Sequence, residues 1–473
     1  MTRLLLRMGK FLNHKFWGII RQAITTFDYF EIRAIFAAWY FFAYMLVPVI
    51  IPLGVRSAYV RYVVGQELYL YTLPVFLIIM LGIASFLIGY QVIISVLKKN
   101  NKELREGSGN ILMSKIIVLF CFGTGLVGKI VKIFGGTFFH LNKNPLVTTS
   151  VYSGLIGVAD SVAILGLGVA CGIYFSLRRN GLKYQTWQLI AYALFCFEFL
   201  LGFLSLGKFE VFTSLFIFLF IRHYLYKPNI RIVFAWVFAL FLVFFPIQSY
   251  IGTPSNIDSY KSYWASRNVQ NTTSNTAVSD ITTPSTIIPI MDFISDGVFG
   301  RFDLSRTLGK IVLITNETGK FWNGKSLKNF FISLGPPRIL WHSKPAVNTG
   351  HNEFGREFGI IAPNNYTTAV APGLLGDWYL NFGLWGIAMG LMIHGVFLGF
   401  LVGFLYRHRW SVYWVAACGT LVPNILIAGE GWVGASMAGV IKLIIVFCVL
   451  FFASRTGVQW VMNRRLANRS IHF

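Results

Sequence analysis

Charge is the scarcest commodity in this sequence. Only 12% of its 473 residues are Asp, Glu, Lys or Arg, about half of the roughly 25% found in soluble domains. Acids are scarcer still, 18 against 41 Lys and Arg. There are five cysteines, Cys121, Cys171, Cys196, Cys418 and Cys448. All lie in apolar runs and no two form a CxxC pair, so they read as small core residues and imply neither a disulfide framework nor a zinc site. No GxxxxGK[ST] occurs, so nothing suggests an ATP-driven pump. No HExxH, no His/Cys ligand cluster and no Asp-x-Asp pair occurs either, and neither a metal nor another cofactor is expected. What the chain has in abundance is apolar surface: 55% hydrophobic residues, 45 Phe and 13 Trp, with a mean hydropathy of +0.63. A soluble enzyme, a disordered chain and a disulfide scaffold are excluded on these grounds. The formal charge of +23 would suggest nucleic acid in a soluble protein; in a membrane protein the positive-inside rule explains it, and no nucleic-acid partner is expected.

Apolar runs long enough to span a bilayer, about 20 residues each, fall near 34–53, 69–94, 111–131, 153–177, 185–206, 211–225, 232–247, 373–404, 411–429 and 432–453. The expected fold is therefore an all-α polytopic membrane bundle of about ten transmembrane helices. The sixth and seventh runs are short, and the eighth is long enough to tilt strongly or break. Residues 1–33 form a basic segment with no cleavable signal. Helices 1–7 fill 34–247, a long loop fills 248–372, helices 8–10 fill 373–453, and 454–473 form a tail.

With the N-terminus in the cytoplasm, the short inner segments and tail hold 22 Lys and Arg residues. The short outer loops hold five, Arg56, Arg61, Lys132, Lys143 and Lys208. That bias places both termini in the cytoplasm and the long loop outside. At about 125 residues the loop is too long for a mere connector and is expected to be functional. Inside the membrane, Asp160, Glu198 and Lys442 stand in the fourth, fifth and tenth spans. Such residues default to a functional reading, against the plainer one of an ion pair or a polar lining.

Outer-face residues carry the chemistry. The turn LSLGKFEVF brings Lys208 and Glu210 to the membrane surface. The long loop holds Arg301 and Arg306 in GRFDLSR, then GPPRILWHSKP and GHNEFGREFGI, which supply Arg338, His342, Lys344, His351, Glu353 and Arg356. Prolines 336, 337 and 345 stiffen the first part. A rigid stretch of Arg, His and Lys suits an anion site, with Arg as a planar fork and Lys as a point charge. An ordinary solvated loop is the bland alternative. Asp377 and Asn381, in APGLLGDWYLNFGLWG, are i and i+4 and share a helix face. Gly373, Gly376, Gly383 and Gly386 permit close helix packing there. Glu430 heads the last span in AGEGWVG, where the helix dipole favours an acid in any case. The first outer loop offers only Glu67 as an acid, a poor fit to polyprenyl-phosphate-sugar transferases that place a base there.

The order of three elements resembles the oligosaccharide repeat-unit polymerases, the Wzy-type O-antigen and exopolysaccharide polymerases. These elements are a Gly-Lys hairpin before a Phe/Leu-rich span, PPRILWHSKP in the long loop, and AVAPGLLGDWYLNFGLWG leading back into the membrane. The first box is matched by Pro337, Arg338, Leu340, Trp341, Lys344 and Pro345, the second by Gly376, Tyr379, Asn381, Phe382 and Gly383. The hairpin position that is often Arg in that family is Lys208 here. The resemblance spans about 205–450.

That resemblance implies a GT-C-like bundle whose extracytoplasmic loop contains short helices. It also implies glycosyl transfer between two undecaprenyl-diphosphate-linked glycans on the outer face of the bacterial cytoplasmic membrane. His351 and His342 become candidate bases, with Arg338 and Glu430 also catalytic. Lys208, Arg301, Lys344, Arg356, Asp377 and Asn381 become candidates for holding the diphosphate and sugars. A chain-length regulator and a flippase are implied partners. An O-antigen ligase shares the layout and leaving group. A transporter of a lipid-linked solute is the alternative from another class.

Overall fold

The computed structural model describes residues 32–41, 43–44, 67–99, 111–134, 153–204, 208–226, 235, 304–336, 341–344, 349–359, 371–407, 411–427 and 431–470. Among these residues the regular structure is entirely helical. The helices are α1 (Ile32–Phe41), α2 (Glu67–Lys99), α3 (Ile111–Phe134), α4 (Ser153–Arg179), α5 (Gln185–Leu204) and α6 (Lys208–Leu225). They continue with α7 (Leu304–Thr318), α8 (Lys325–Leu334), α9 (Thr349–Glu357), α10 (Gly373–Arg407), α11 (Val412–Ile427) and α12 (Val433–Ser470).

Among the described residues, six stretches are long and apolar enough to cross a bilayer: Leu73–Leu97, Ser114–Ile133, Gly157–Arg179, Gln185–Phe203, Gly373–Leu405 and Ser436–Thr456. Two shorter apolar helices, Val211–Leu225 and Val412–Ile425, lie beside them. The chain is thus a polytopic helical membrane protein. The expected count was ten. Of the two remaining runs, 34–53 is described only in part, chiefly as α1, and 232–247 lies outside the described residues apart from Ala235. Large side chains such as Leu119, Phe400 and Phe452 are exposed along the spans, as helices facing acyl chains require. The last helix runs well past the expected end of the tenth span, so most of the basic tail is helical.

Helix contacts fix the relative directions. An added Cβ on Gly125 would meet Ala163, and one on Gly166 would meet Cys121, so α3 and α4 run antiparallel. Gly168 lies against Ala416 and Gly172 against Val412, making α4 and α11 antiparallel too. The second part of α10 runs parallel to α2. There the approach is so close that a Cβ on Gly89 would stand 2.2 Å from the Met392 carbonyl oxygen, and one on Gly395 2.1 Å from that of Phe86. Side chains at those two positions would force the helices apart.

The eighth span breaks. Gly383 has φ 61° and ψ −143°, a conformation essentially confined to glycine. The two parts, 373–382 and 384–407, lean against each other. A Cβ on Gly390 would fall 2.1 Å from the indole of Trp378, and the rings of Trp378 and His394 are 6.3 Å apart. In an unbroken helix residues 378 and 394 would be about 24 Å apart along the axis. The loop helices α7 and α8 pack on this end of the molecule, against α10 and α12 respectively. We call it the loop end. By the directions above, α3, α5 and α11 finish there, and α4, α10 and α12 begin there.

Candidate functional site

A buried polar knot ties the loop helices to the spans. Asp377 and Asn381 stand one turn apart on the short first part of α10, each only 1% exposed. The shared face expected from their spacing is real: Asn381 Nδ2 donates to Asp377 Oδ1 at 3.0 Å and to Ser326 Oγ of α8 at 2.6 Å. Asn381 Oδ1 accepts the Gly324 backbone N–H at 2.9 Å. Asp377 Oδ2 accepts the N–H of Val433, the first residue of α12, at 2.9 Å. A carboxylate at a helix N-terminus satisfies an orphan donor and opposes the dipole. Both side chains are buried and hydrogen-bonded within the protein, and they tie the start of α10 to α8 and α12.

Above the knot, Trp322 stacks on Trp432 with ring centroids 5.3 Å apart, and Phe354 of α9 meets both edge-on. Trp322 Nε1 donates to Glu357 at 3.1 Å, and its backbone N–H to the Leu380 carbonyl at 2.9 Å. Lys325 pairs with Glu353 at 2.7 Å and lies 4.8 Å from the Trp322 ring centroid. Hence α9 is docked by an aromatic trio and two charged contacts.

Lys344 is half-buried, and its ammonium donates to the carbonyls of Gly335 and Pro336, both at 3.0 Å. Both acceptors belong to the two residues that follow α8, whose last turn is closed by the Gly335 N–H donating to the Phe331 carbonyl. His342 is exposed on the neighbouring turn, and Arg356 is half-buried in the last turn of α9. His351 is a residue of α9 and Lys208 the first residue of α6. Arg301, Arg338 and Glu430 lie outside the described residues. The exposed Lys320 and Lys328, and Lys325 with them, add cations that the motif reading passed over. The loop end thus presents several exposed cations beside the exposed acids Glu317, Glu353 and Glu357.

A second charged centre lies within the spans. Lys129 of α3 pairs with Glu198 of α5 at 2.8 Å and lies 3.9 Å from Asp160 of α4. Lys132 of α3 pairs with Asp160. Asp160 and Glu198 are therefore ion-paired, through two lysines rather than with each other. The sequence reading counts Lys132 with an outer loop and passes over Lys129, although the i, i+3 spacing places both on one helix face. Ser326 and Trp322 carry no local signal at all, since Ser326 meets Asn381 across 55 residues. Lys442 is half-buried in α12.

No curated protein and no solved structure matches this chain. A family model does match, and its region runs from before α2 to near the end of α10, taking in the charged centre, α7 to α9, Asp377 and Asn381. The match covers residues 58–403, and the chain belongs to the family described as Domain of unknown function (DUF8712).

Proposed function

We propose that this protein polymerises undecaprenyl-diphosphate-linked oligosaccharide repeat units on the outer face of the bacterial cytoplasmic membrane. In this reading it is a GT-C-like glycosyltransferase of about ten spans with both termini in the cytoplasm. A chain-length regulator and a flippase would be its partners. One observation carries the proposal: helices rich in Lys, Arg and His are clamped by a buried polar knot onto the end of an apolar bundle. A substrate with a lipid tail and an anionic head needs that juxtaposition of membrane and cations.

The reaction follows from these parts. A sugar hydroxyl of the acceptor attacks the anomeric carbon of the donor glycan. The bond from that carbon to the diphosphate oxygen breaks, and the lipid diphosphate leaves with the electron pair. The hydroxyl proton passes to a base, for which His351 and His342 are the candidates. Charge growing on the diphosphate is held by Arg338, Arg301, Arg356 and Lys208. Asp377 and Asn381 hold α8 and the start of α12 against α10.

The buried charged centre favours a second reading, a transporter of a lipid-linked solute. Its charges cluster toward the loop end, and from Val162 to Phe175 α4 is buried and apolar, which offers no onward polar path. A gel of surface glycan from cells with and without the gene separates the readings. Collapse of a ladder to a single-repeat rung is the expected result, with Arg338→Ala reproducing it at unchanged protein level. Loss of all capped glycan while lipid-linked polymer accumulates would identify a ligase. An unchanged ladder would remove the polymerase reading.

A further inference from the structure

The charged centre of α3, α4 and α5 has a dry side and an open side. Lys129 and Glu198 have side chains 9% and 5% exposed, whereas Asp160 and Lys132 are 20% and 24% exposed. Lys132 is in the last turn of α3, at the depth where a span meets lipid headgroups. Val127, Ile130, Val131 and Ile133 around it are exposed apolar residues. The open side is therefore bordered by acyl chains, and an occupant arrives laterally from the bilayer. As a brace the arrangement is a poor choice, because well-packed apolar residues hold helices together as well as a buried ion cluster or better.

We propose that Lys129 and Lys132 form a subsite for the phosphate-bearing head of a membrane lipid, with Asp160 occupying it in the resting state. The lipid phosphate takes the place of Asp160 on Lys132, and Asp160 turns toward the open side. Lys129 stays anchored to Glu198 and supplies the second positive charge from the same helix face. In low-dielectric surroundings two ammonium groups attract a polyanion far more strongly than at an aqueous surface. With polymerisation as the activity, the lipid is the diphosphate carrier, and that identification rests on the reading above. The subsite itself does not.

The test uses the full-length protein in nanodiscs of neutral lipid and measures binding of undecaprenyl diphosphate, with no glycan and no turnover. Lys132→Gln is expected to weaken binding about tenfold, the worth of one charge-assisted contact near 1.4 kcal/mol. Asp160→Asn removes the resident competitor and is expected to tighten binding several-fold. The double variant Lys132→Gln with Asp160→Asn keeps the centre neutral and should still bind weakly. Should Lys132→Gln fail to fold, the other two variants decide. Binding unchanged in Asp160→Asn and in the double variant would make the centre a structural brace and overturn the proposal. Inorganic diphosphate competing as strongly as the lipid would overturn the lateral, lipid-borne route. Binding that behaves as expected beside an unchanged glycan ladder would sink the polymerase reading and leave the subsite standing.

Discussion

Asp377 uses one carboxylate oxygen on Asn381 and the other on the first N–H of α12. Truncation would strand two buried partners, each costing about 1–3 kcal/mol. Asp377→Ala is expected to lower stability by about 2–4 kcal/mol. Asp377→Asn should cost less, because its amide oxygen can still accept the Val433 N–H while only the contact with Asn381 is mismatched. Thermal unfolding of the purified protein should rank wild type above Asn and Asn above Ala; equal melting of all three would contradict the knot. Lys344→Met should cost about 1 kcal/mol, by leaving the Gly335 and Pro336 carbonyls without their ammonium donor. The i, i+4 spacing of Asp377 and Asn381 was legible in the sequence. Their partners were not: Ser326 lies 55 residues from Asn381 and Val433 lies 56 from Asp377, and nothing local links them.

At the scale of helices, α2 to α6, α10 and α11 begin and end near the limits of their apolar runs, because each helix in lipid must satisfy its own backbone and be apolar over most of its length, whereas α12 continues past its run into the basic tail. The break in α10 was legible only as excess length. Its place depends on Gly383 adopting a conformation that side chains resist, and on Gly390 leaving room for Trp378. Gly383→Ala is expected to destabilise by about 1–3 kcal/mol and to loosen α7, whose neighbour Phe321 lies 3.4 Å from the Cβ position at Gly383. Limited proteolysis of the 304–336 region checks this, and cleavage no faster than in wild type would refute it. Gly395→Leu should separate α10 from α2, read as loss of monodisperse protein from detergent extracts.

For the whole molecule, the charge bias of the loops predicts which end faces the cytoplasm. Asn180, exposed between α4 and α5, stands at the end opposite Lys320. In a variant without native cysteines, a membrane-impermeant maleimide should label Lys320→Cys in cells with a permeable outer envelope, and label Asn180→Cys only after lysis. The reverse pattern would invert the topology, place the loop end in the cytoplasm and contradict a reaction on the outer face.

Sequence alone determined that this is a helical membrane protein and roughly where its described spans run. Those are window properties: hydropathy adds along the chain, and neighbours in sequence carry it. Only the tertiary structure decided that Asp160 and Glu198 are neutralised by Lys129 and Lys132, and that Asp377 caps α12. Each of those pairings joins residues from different elements. A buried charge or amide in a low-dielectric interior accepts whichever partner packing brings within about 3 Å, and packing is a property of the assembled bundle.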